Sequence, residues 1–400
     1  MMRTVFTGGR IFDGTGLAPA DIVIADGRIV EVGPGLDGDE AVDVTGCSVL
    51  PGLFDAHVHT VLRSISPYDN MQQPFSYQFF VAAQNLRTLL GLGITSVRDA
   101  GGADAGIKRA LADKLLPGPR LQISVTMISQ TGGHGDNCMA SGLTGSVFSA
   151  PHPGRPDPVA DGPEAMRRKA RELIRAGADV LKVATSGGVL SPDTNPRHGH
   201  YRGDELAALV AEANAVEIPV MAHAQATEGI KEAVRAGVRS IEHGVFLDDE
   251  TIDLMVARGT WLVPTLLAPQ GVIEAVAAGI AISEGSKRKI REVAEAHIES
   301  FSRAVDAGVR VAMGTDAPVM PFGRNLEELS LMMEFSAMTP ADAILAATAS
   351  AADLFRVGDE LGSLQPGKRA DLVVITGNVL DLVRLNTRID QVWQDGLRVV

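Results

Sequence analysis

The stretch Pro-Gly-Leu-Phe-Asp-Ala-His-Val-His-Thr at residues 51–60 determines how the rest of this chain is interpreted. The apolar pair Val49-Leu50 before it indicates a strand that enters a core, which we place at Val49–Phe54. His57 and His59 follow two residues apart, and on an extended backbone side chains with that spacing point to the same face. A lone His-x-His pair is more often a surface feature than a metal site, so the later strand ends decide between the two interpretations.

Composition and charge limit the class of protein. The 400 residues are 45% hydrophobic and 21% charged, which is typical of a globular protein with a large core. The formal net charge of −13 argues against binding nucleic acid through phosphate contacts. Two cysteines, Cys47 and Cys138, are too few for a disulfide framework. Because the sequence has no apolar signal-peptide region and no stretch long enough to span a membrane, we expect a cytoplasmic protein.

Residues 49–316 alternate between short apolar runs and helical stretches. The predicted strands are Val49–Phe54, Ile94–Asp99, Leu121–Val125, Val180–Ala184, Val220–His223, Ser240–His243, Trp261–Pro264 and Val309–Met313. The predicted helices between them cover 76–91, 104–115, 163–176, 203–216, 227–236, 248–258 and 284–307. Strands that alternate with helices in this way favour parallel pairing in a closed (β/α)8 barrel. The alternative is an open doubly wound sheet, which no Gly-x-Gly-x-x-Gly motif after a strand supports.

The two ends of the chain have a different pattern from the middle. Residues 1–50 are short apolar runs separated by Asp-Gly turns, which are typical of hairpins. After predicted helices at 325–337 and 341–355, the chain returns to short strands. We predict that the ends complete one small β-domain, from 1–50 plus 357–400, beside a barrel at 51–356.

Two predicted loops are much longer than the others. Residues 129–162 follow the third predicted strand, and residues 185–202 follow the fourth. Both leave the carboxyl ends of strands, where barrel enzymes hold their active sites. Loops of this length are more often functional than idle, so we expect both to contribute to a site.

Several metal-ligand candidates lie in, at or just past the ends of predicted strands. They are His57, His59, Lys182, His223, His243 and Asp316. In a closed barrel those ends meet at one mouth, and this set of ligands suits a divalent metal such as Zn²⁺. Lys182 is the unusual member, because a lysine within an apolar strand usually reaches solvent or a salt bridge. A functional role would require CO2 to convert its amine to a carbamate, which could bridge two metal ions.

This arrangement of ligands resembles the amidohydrolase superfamily. The closing segment 362–374, Gly-x-Leu-x-Pro-Gly-Lys-x-Ala-Asp-Leu-Val-Val, resembles the same superfamily, so the likeness spans almost the whole chain. The segments Thr131–Asp136 and Thr185–Gly188 resemble the imidazolonepropionase-related prolidases, a branch with Xaa-Pro and Xaa-Arg dipeptidases and ochratoxin-type amidases. The resemblance implies a (β/α)8 barrel, a flanking β-sandwich built from both termini, and a binuclear metal site.

The resemblance also implies a role for each candidate residue. The first metal would be held by His57, His59 and Asp316, the second by His223 and His243, and carboxylated Lys182 would bridge them. Asp316 would accept a proton from the attacking water and deliver it to the leaving nitrogen. His134 would stabilise the developing oxyanion on the substrate carbonyl, with a loop-stabilising hydrogen bond as the alternative role. Tyr201 would bind the free α-carboxylate of the substrate, although aromatic loop residues often only pack.

Other titratable residues receive ordinary interpretations. His297 is placed on a solvated helix face, and Cys138 near the mouth without a role in catalysis. Asp99 is either a strand-end cap or a hydrogen-bond partner for a metal-bound histidine. Further candidates for binding an acidic group of the substrate are Arg197, His198, His200 and Arg202, which the sequence does not rank.

We therefore predict a hydrolase with two divalent metal ions, with zinc favoured, that cleaves an amide bond in a dipeptide or N-acyl amino acid with a free carboxylate. The alternative within this class is hydrolysis of a carbamate, phenylurea or cyclic amide at the same metal site. The alternative from another class is a non-catalytic oligomeric scaffold that kept the barrel. We also expect a homo-oligomer, because relatives of this kind often associate.

Overall fold

The computed structural model describes the chain except Met1, Asn137, 139–141, 143–151, Pro192, Ala281 and the side chains of Pro67 and Tyr68. Part of the predicted loop 129–162 therefore lies outside the described residues. The N-terminal segment forms short strands: β1 (Thr4–Thr7), β2 (Arg10–Phe12), β3 (Leu17–Pro19), β4 (Asp21–Ala25), β5 (Arg28–Gly33), β6 (Glu40–Asp43) and β7 (Cys47–Pro51).

The middle of the chain alternates between strands and helices, as predicted. Its strands are β8 (Leu53–Val58), β9 (Ile94–Asp99), β10 (Arg120–Ile123), β11 (Met127–Ile128), β12 (Leu181–Ala184), β13 (Val220–Ala224), β14 (Ser240–His243), β15 (Trp261–Val263) and β16 (Arg310–Val311). Its helices, with those that follow β16, are α1 (Pro67–Met71), α2 (Tyr77–Gly91), α3 (Ala105–Ala112), α4 (Pro163–Arg175), α5 (Gly203–Asn214), α6 (Thr227–Ala236), α7 (Asp249–Arg258), α8 (Leu267–Ala277), α9 (Glu284–Asp306), α10 (Glu327–Glu334), α11 (Pro340–Ala346) and α12 (Ala349–Leu354). None of the helices within the described residues combines the length and the apolar character needed to cross a membrane.

The strands of this middle segment pair in parallel. Their order is β10-β9-β8 in one sheet and β11-β12-β13-β14-β15-β16 in the other. Backbone hydrogen bonds also run between the outer strands: Ala56 in β8 donates to Met313 after β16, and Asp179 before β12 donates to Ile123 in β10. The predicted α/β class with parallel strands is confirmed, and the carboxyl ends of these strands all lie on one side.

The first predicted strand, Val49–Phe54, is wrong, because it joins the end of β7 to the start of β8. Pro51 and Gly52 mark the passage from one sheet to the other. The Gly52 amide donates to Asp371 in the C-terminal segment over 2.8 Å. A Cβ atom at Gly52 would lie 2.1 Å from Thr95 Oγ1, so only glycine permits this close approach. His57 consequently lies within β8 rather than after it.

Other predicted elements were wrong in extent. The third predicted strand, Leu121–Val125, ends early, at Ile123 in β10, because Val125 has a left-handed backbone with φ of 67°, and the short strand β11 that follows was not predicted. Helix α8, which contains Pro269 and Gly271, was not predicted. Proline is tolerated in the first helical turn, and Gly271 lies against the backbone of Val319, where a Cβ would approach the carbonyl oxygen to 2.3 Å. The predicted helix 341–355 is interrupted between α11 and α12.

The two ends of the chain meet in shared sheets. The C-terminal strands are β17 (Leu372–Thr376), β18 (Ile389–Gln394) and β19 (Leu397–Arg398). Strand β17 pairs antiparallel with β7, which gives the sheet order β19-β18-β17-β7-β2-β3. A second sheet has the order β5-β4-β1-β6. Phe6 and Ile22 from this second sheet pack in one buried cluster with Leu372 and Val374 from the first, so apolar burial holds the terminal strands together.

Candidate metal centre

The predicted ligands converge on one cavity of about 420 Å³ at the carboxyl ends of the parallel strands. Its lining includes His57, His59, Lys182, His223, His243 and Asp316. The register of the strands explains this convergence, since Ala184 at the end of β12 pairs with His223, and Ala224 at the end of β13 pairs with His243. The backbone register therefore places side chains that are far apart in sequence at the same height along neighbouring strands.

Asp316 lies at the centre of the histidine set. Its Oδ1 atom is 3.3 Å from His57 Nε2 and 3.2 Å from His59 Nε2. One potential ligand atom each of His57, His243 and Asp316 lie within 4.8 Å of one another. Burial alone would raise the pKa of Asp316, but the neighbouring His57 and His59 hold it well below its usual range. The carboxylate is therefore ionised and suited to bind a cation.

The hydrogen bonds on the far side of each imidazole fix where its lone pair points. His57 Nδ1 lies 2.8 Å from the Glu242 carboxylate, and His59 Nδ1 lies 2.9 Å from the Gly101 carbonyl oxygen. These oxygens can only accept, so each Nδ1 carries the hydrogen and, in the neutral ring, Nε2 keeps the lone pair. With both rings neutral, these lone pairs would repel the Asp316 carboxylate, and either protons on the Nε2 atoms or a metal ion between the groups relieves that repulsion. The donor set therefore fits a divalent metal ion.

His223 and His243 continue this donor set. His223 Nε2 faces the carbonyl oxygen of Gly187 at 3.3 Å, so the lone pair of the neutral ring is on Nδ1. His243 Nδ1 lies 2.7 Å from Thr265 Oγ1, and the centroids of the two imidazole rings are 4.6 Å apart. Burial is the largest cause that holds the pKa of both rings well below the ordinary value of 6.5. Both histidines are thus neutral, the form in which an imidazole can bind a metal ion.

Lys182 is buried without a partner. Its side chain is within β12, the residue is 1% exposed, and Nζ has no hydrogen bond to any described residue. Burial lowers the pKa of this amine to about 8. An unpaired buried amine is costly, and the neutral form is the nucleophile that adds CO2. The interpretation of Lys182 as an exposed or salt-bridged residue is wrong, and its position fits a carbamate between two metal ions.

His134 reaches the same cavity from the first long loop. Its imidazole stacks on the ring of His223 with centroids 4.1 Å apart and planes inclined by 21°. The opposite face lies against Gly188, where a Cβ would be 2.3 Å from His134 Cε1. Burial lowers the pKa of His134 to about 3, so the ring is neutral. The ring also contacts Ser191, so the loop-stabilising hydrogen bond is present together with the position at the cavity.

Tyr201 does not lie in the cavity. It is 2% exposed, and its hydroxyl donates to the carbonyl oxygen of Ala160 over 2.9 Å. The unranked candidates of the same loop are also outside the described cavity lining: Arg197, His198, His200 and Arg202. Arg197 instead forms an ion pair with Glu292 in α9 and lies over the ring of Phe246. These residues pack the loop rather than face the metal ligands.

Sequence reasoning missed a buried ion pair behind the cavity. Arg98 Nη2 donates to Glu242 Oε1 over 2.9 Å, and Ser240 Oγ donates to the same oxygen over 2.5 Å. Burial alone would raise the pKa of Glu242, but Arg98 and then His57 lower it to about 2. The signal was available in the sequence, because Arg98 and Glu242, like Lys182, are charged residues within apolar strands.

Two further predictions are settled by the hydrogen bonding. His297 is not on a solvated face: it is 2% exposed, and its Nε2 donates to the His243 carbonyl oxygen over 2.9 Å. Asp99 is a strand-end cap, since its carboxylate accepts from the amides of Thr60, Gly101 and Ala103. Through Gly101 this cap also fixes the carbonyl that orients His59.

Part of the cavity lining is aliphatic. It contains Val189 from the second long loop, Val245 after β14, Val272 from α8, and Ile290 and Val293 from α9. These side chains form one buried cluster next to the histidines. A ligand in this cavity therefore meets a polar floor and an apolar side wall, a combination common in small-molecule sites.

The backbone is unusual at several of the strand ends that form the cavity. His243, Thr265 and Asp316 have left-handed backbones, with φ of 72°, 55° and 59°. This conformation is unfavourable for residues other than glycine and persists where the surroundings impose it, as they often do at functional sites. Of these residues, His243 and Asp316 are metal-ligand candidates, and the Thr265 hydroxyl contacts His243.

The chain is similar to known proteins over nearly its whole length. Residues 48–399 match the model of the amidohydrolase family. The chain is 33% identical to ochratoxinase of Aspergillus niger over 411 aligned residues, which cover 96% of this chain and 83% of that protein. A crystal structure of a Xaa-Pro dipeptidase with bound methionine superposes with a TM-score of 0.89 at 32% identity, covering 99% of both chains. A prolidase complexed with N-methylphosphonate-L-proline superposes with a TM-score of 0.91 at 34% identity, again covering 99% of both chains.

These likenesses extend over nearly the whole chain and imply a TIM-barrel-type α/β fold. They also confirm the resemblance to prolidase-like amidohydrolases that the motifs around His134 and Gly187 indicated. This chain belongs to the amidohydrolase family.

Proposed function

We propose that this protein is a hydrolase with a binuclear metal centre that cleaves an amide bond in a dipeptide or an N-acyl amino acid. The observation that carries the proposal is the convergence of the candidate ligands around the partnerless amine of Lys182. Two divalent ions, with zinc favoured by the nitrogen-rich donor set, would be held there. Amide hydrolysis itself agrees with the ochratoxinase and prolidase-like relatives.

Each metal would take a distinct set of ligands. We propose His57, His59 and Asp316 as the residues that would hold one ion and His223 and His243 as those that would hold the other, with carboxylated Lys182 as a ligand available to both. Bound there, two divalent ions would lower the pKa of a shared water and polarise the scissile carbonyl. Glu242 and Gly101 orient the first set, because their oxygens fix the hydrogen on the distal nitrogens of His57 and His59.

Two side chains would act on the substrate and the attacking water. Asp316 accepts the proton of the water and later donates it to the leaving nitrogen, which requires the ionised carboxylate that its low pKa provides. His134 stacks on His223 and would donate a hydrogen bond to the carbonyl oxygen as negative charge develops. Both roles need only groups that already line the cavity.

The aliphatic wall favours a substrate with an apolar group beside the scissile bond. Val245, Val272 and Val293 would contact such a group and exclude water from it. The Xaa-Pro dipeptidase with bound methionine and the prolidase bound to a proline phosphonate agree with this chemistry. The second candidate is a carbamate, phenylurea or cyclic amide. The location of Tyr201 favours it, because the hydroxyl predicted to bind a free carboxylate is engaged elsewhere.

We also propose the architecture that this mechanism requires. The parallel strands would close into a (β/α)8 barrel over 51–356, supported by the hydrogen bonds between β8 and the segment after β16. Residues 1–50 plus 357–400 would form a β-sandwich, supported by the cluster that joins Phe6 and Leu372. Closure matters for function because it brings His57 next to Asp316.

A substrate library tests the proposed function. Zinc-loaded protein is incubated with dipeptides, N-acyl amino acids, carbamates and phenylureas, and released amine is measured. We expect turnover of amides with an apolar group at the scissile bond. Turnover confined to carbamates or ureas would select the second candidate, and no turnover of any member by fully metallated protein would contradict the hydrolase assignment.

A further inference from the structure

A single carboxylate from α10 caps the start of α8. Helix α8 begins after Leu266, whose apolar side chain offers no oxygen to the first amides of the helix. Glu328 supplies both acceptors instead: its Oε1 accepts from the Leu266 amide over 2.7 Å, and its Oε2 accepts from the Leu267 amide over 2.8 Å. Glu328 is fully buried, so these two amides depend on its carboxylate rather than on water.

The capped end of α8 also lines the cavity. Ala268 and Pro269 in its first turn and Val272 in its second turn belong to the lining. Val272 is buried and packs in the same cluster as Val245 and Val293. The position of α8 therefore sets how far these aliphatic side chains stand from the metal-ligand candidates.

Helix α10 is itself anchored beside the metal-ligand candidates. Asn325, just before α10, donates through Nδ2 to Asp55 Oδ2 over 2.9 Å and to Thr315 Oγ1 over 3.1 Å. Asp55 lies in β8, two residues before His57. Thr315 directly precedes Asp316. The carboxylate on α10 therefore holds α8 in a fixed relation to two segments that carry ligand candidates.

Two further contacts hold α8 beyond its first turn. Gly271 lies directly against the backbone of Val319, and Glu274 forms an ion pair with Arg324 over 2.6 Å. The ion pair is at the surface, where such pairs contribute little to stability. We therefore expect the first turn of α8 to depend more on Glu328 than on the contact at its exposed face.

We propose that Glu328 is a positioning residue for substrate specificity, which holds the first turn of α8 so that the aliphatic side chains of this helix contact the apolar group of the substrate. This inference rests on the proposed function, in which that group lies beside the scissile bond. Glu328 acts only through α8 in this role. Its loss should change which apolar groups are accepted rather than the chemistry at the cleaved bond.

Kinetics of Glu328→Gln across a homologous series of substrates test the proposal. The glutamine keeps one acceptor, but its NH2 group would face a backbone N–H, so one of the two cap bonds is lost. The series consists of N-acyl derivatives of one amino acid, with the acyl chain extended from acetyl to hexanoyl. In the wild type, each CH2 group that contacts the aliphatic lining should raise kcat/KM by roughly fourfold. In the variant we expect a clearly smaller gain for each CH2 group, mainly through KM, and kcat for the acetyl member within about twofold of wild type.

Glu274→Gln is the matched control. It removes a carboxylate from the same helix, at the exposed ion pair with Arg324. The gain for each CH2 group and the metal content should both stay as in the wild type. The proposal would be overturned if Glu328→Gln kept the wild-type gain, lowered kcat/KM equally for every member of the series, or lost metal.

A second background shows whether the effect passes through α8. In Val272→Ala the aliphatic contact is already reduced, so Glu328→Gln should cause a smaller further loss of the gain for each CH2 group. A further loss as large as in the wild-type background would mean that Glu328 does not act through Val272 and would contradict the proposal.

Hydrogen exchange tests the same contact without turnover. In zinc-loaded protein, peptides that contain the Leu266 and Leu267 amides should exchange faster by about tenfold or more in Glu328→Gln, and at the wild-type rate in Glu274→Gln. Peptides from β13 and β14 should keep their protection in both variants. Unchanged exchange at Leu266 and Leu267 would overturn the proposal even if the protein is a hydrolase. The expected exchange without hydrolysis of any library member would instead contradict the proposed function.

Discussion

The strand ends and the loop at 185–202 both contribute side chains to the cavity. Different kinds of contact hold these side chains in place in the two regions. His223 and His243 are placed by the parallel register of β12, β13 and β14, which depends on backbone hydrogen bonds. Ser191 in the loop is placed by the side chain of Lys289, which lies almost a hundred residues away in α9. The strand ends are thus fixed by the fold, whereas the loop is fixed by individual contacts.

This difference assigns different roles to the two regions. The strand ends carry ligands that must hold their geometry, and their backbone is locked on both sides. The loop carries groups that shape and orient, such as Ser191 and Val189, and single substitutions can alter its contacts without disturbing the sheets. We expect substitutions at strand ends to abolish activity and substitutions in the loop to tune it.

Asp316→Asn should give the largest effect. The amide retains an oxygen ligand but cannot accept a proton, so we expect metal content to be kept and kcat to fall by about 10²–10⁴-fold. Metal analysis and steady-state kinetics on the same preparation measure both quantities. Wild-type kcat in this variant would remove Asp316 from the mechanism.

Lys182→Ala should be nearly as severe, through loss of metal binding. Protein prepared with ¹³C-bicarbonate should show a carbamate carbon resonance in the wild type that is missing in the variant. A small carboxylic acid should restore part of the activity of Lys182→Ala, because it can fill the space of the bridging group. A wild-type spectrum without the carbamate signal in active, metal-loaded protein would contradict the role of Lys182.

Glu242→Gln should weaken metal binding even though every candidate metal ligand is kept. His57 would lose the carboxylate on its Nδ1, and we expect metal affinity to fall by roughly 10–100-fold. The buried Arg98 would also lose its counter-charge, which should cost about 3–5 kcal/mol in the free energy of unfolding. Metal titration and chemical denaturation measure the two effects.

Ser240→Ala is the matched control for this variant. It removes the hydroxyl that donates to Glu242 but keeps the ion pair with Arg98. Its effects on metal affinity and stability should both be clearly smaller. Equal effects of the two substitutions would mean that the charge of Glu242 is unimportant.

His200→Leu should give the smallest effect of these substitutions. It changes only the loop at 185–202, and its effect is on the pH dependence of stability. Burial lowers the pKa of His200 to about 4 from an ordinary 6.5, so the folded state binds a proton less readily than the unfolded state. The stability that this provides is present above pH 6.5 and is lost as the pH falls through 4. In metal-free protein, the variant should show a weaker fall in unfolding free energy across that interval. An unchanged pH profile would contradict the burial of a neutral His200.

The sequence was sufficient for the features that follow from strand periodicity. The ligand candidates could be found because a polar residue at the end of an apolar parallel strand must face the common edge, and the resemblance added His134. Glu242 was within reach of the same reasoning, since it stands two residues after Ser240 in an apolar strand.

The remaining features depend on contacts that no local pattern encodes. The Tyr201 hydroxyl bonds to Ala160, forty-one residues away, and could not be located without the loop structure. His297 has acidic neighbours on its helix, yet its side chain faces the His243 carbonyl because α9 packs across the end of β14. The end of β10 before Val125 and the helix that contains Pro269 are likewise features that no local sequence pattern indicated.

The central claim is that two metal ions lie within the ring of strand-end ligands. Anomalous diffraction at the zinc edge, from a crystal of zinc-loaded protein, measures this most directly. We predict two peaks, one within bonding distance of His57, His59 and Asp316, the other of His223 and His243, with density for a carbamate on Lys182 between them. No peak in the cavity would contradict the account and favour the non-catalytic scaffold, and a single peak remote from Lys182 would contradict the binuclear centre.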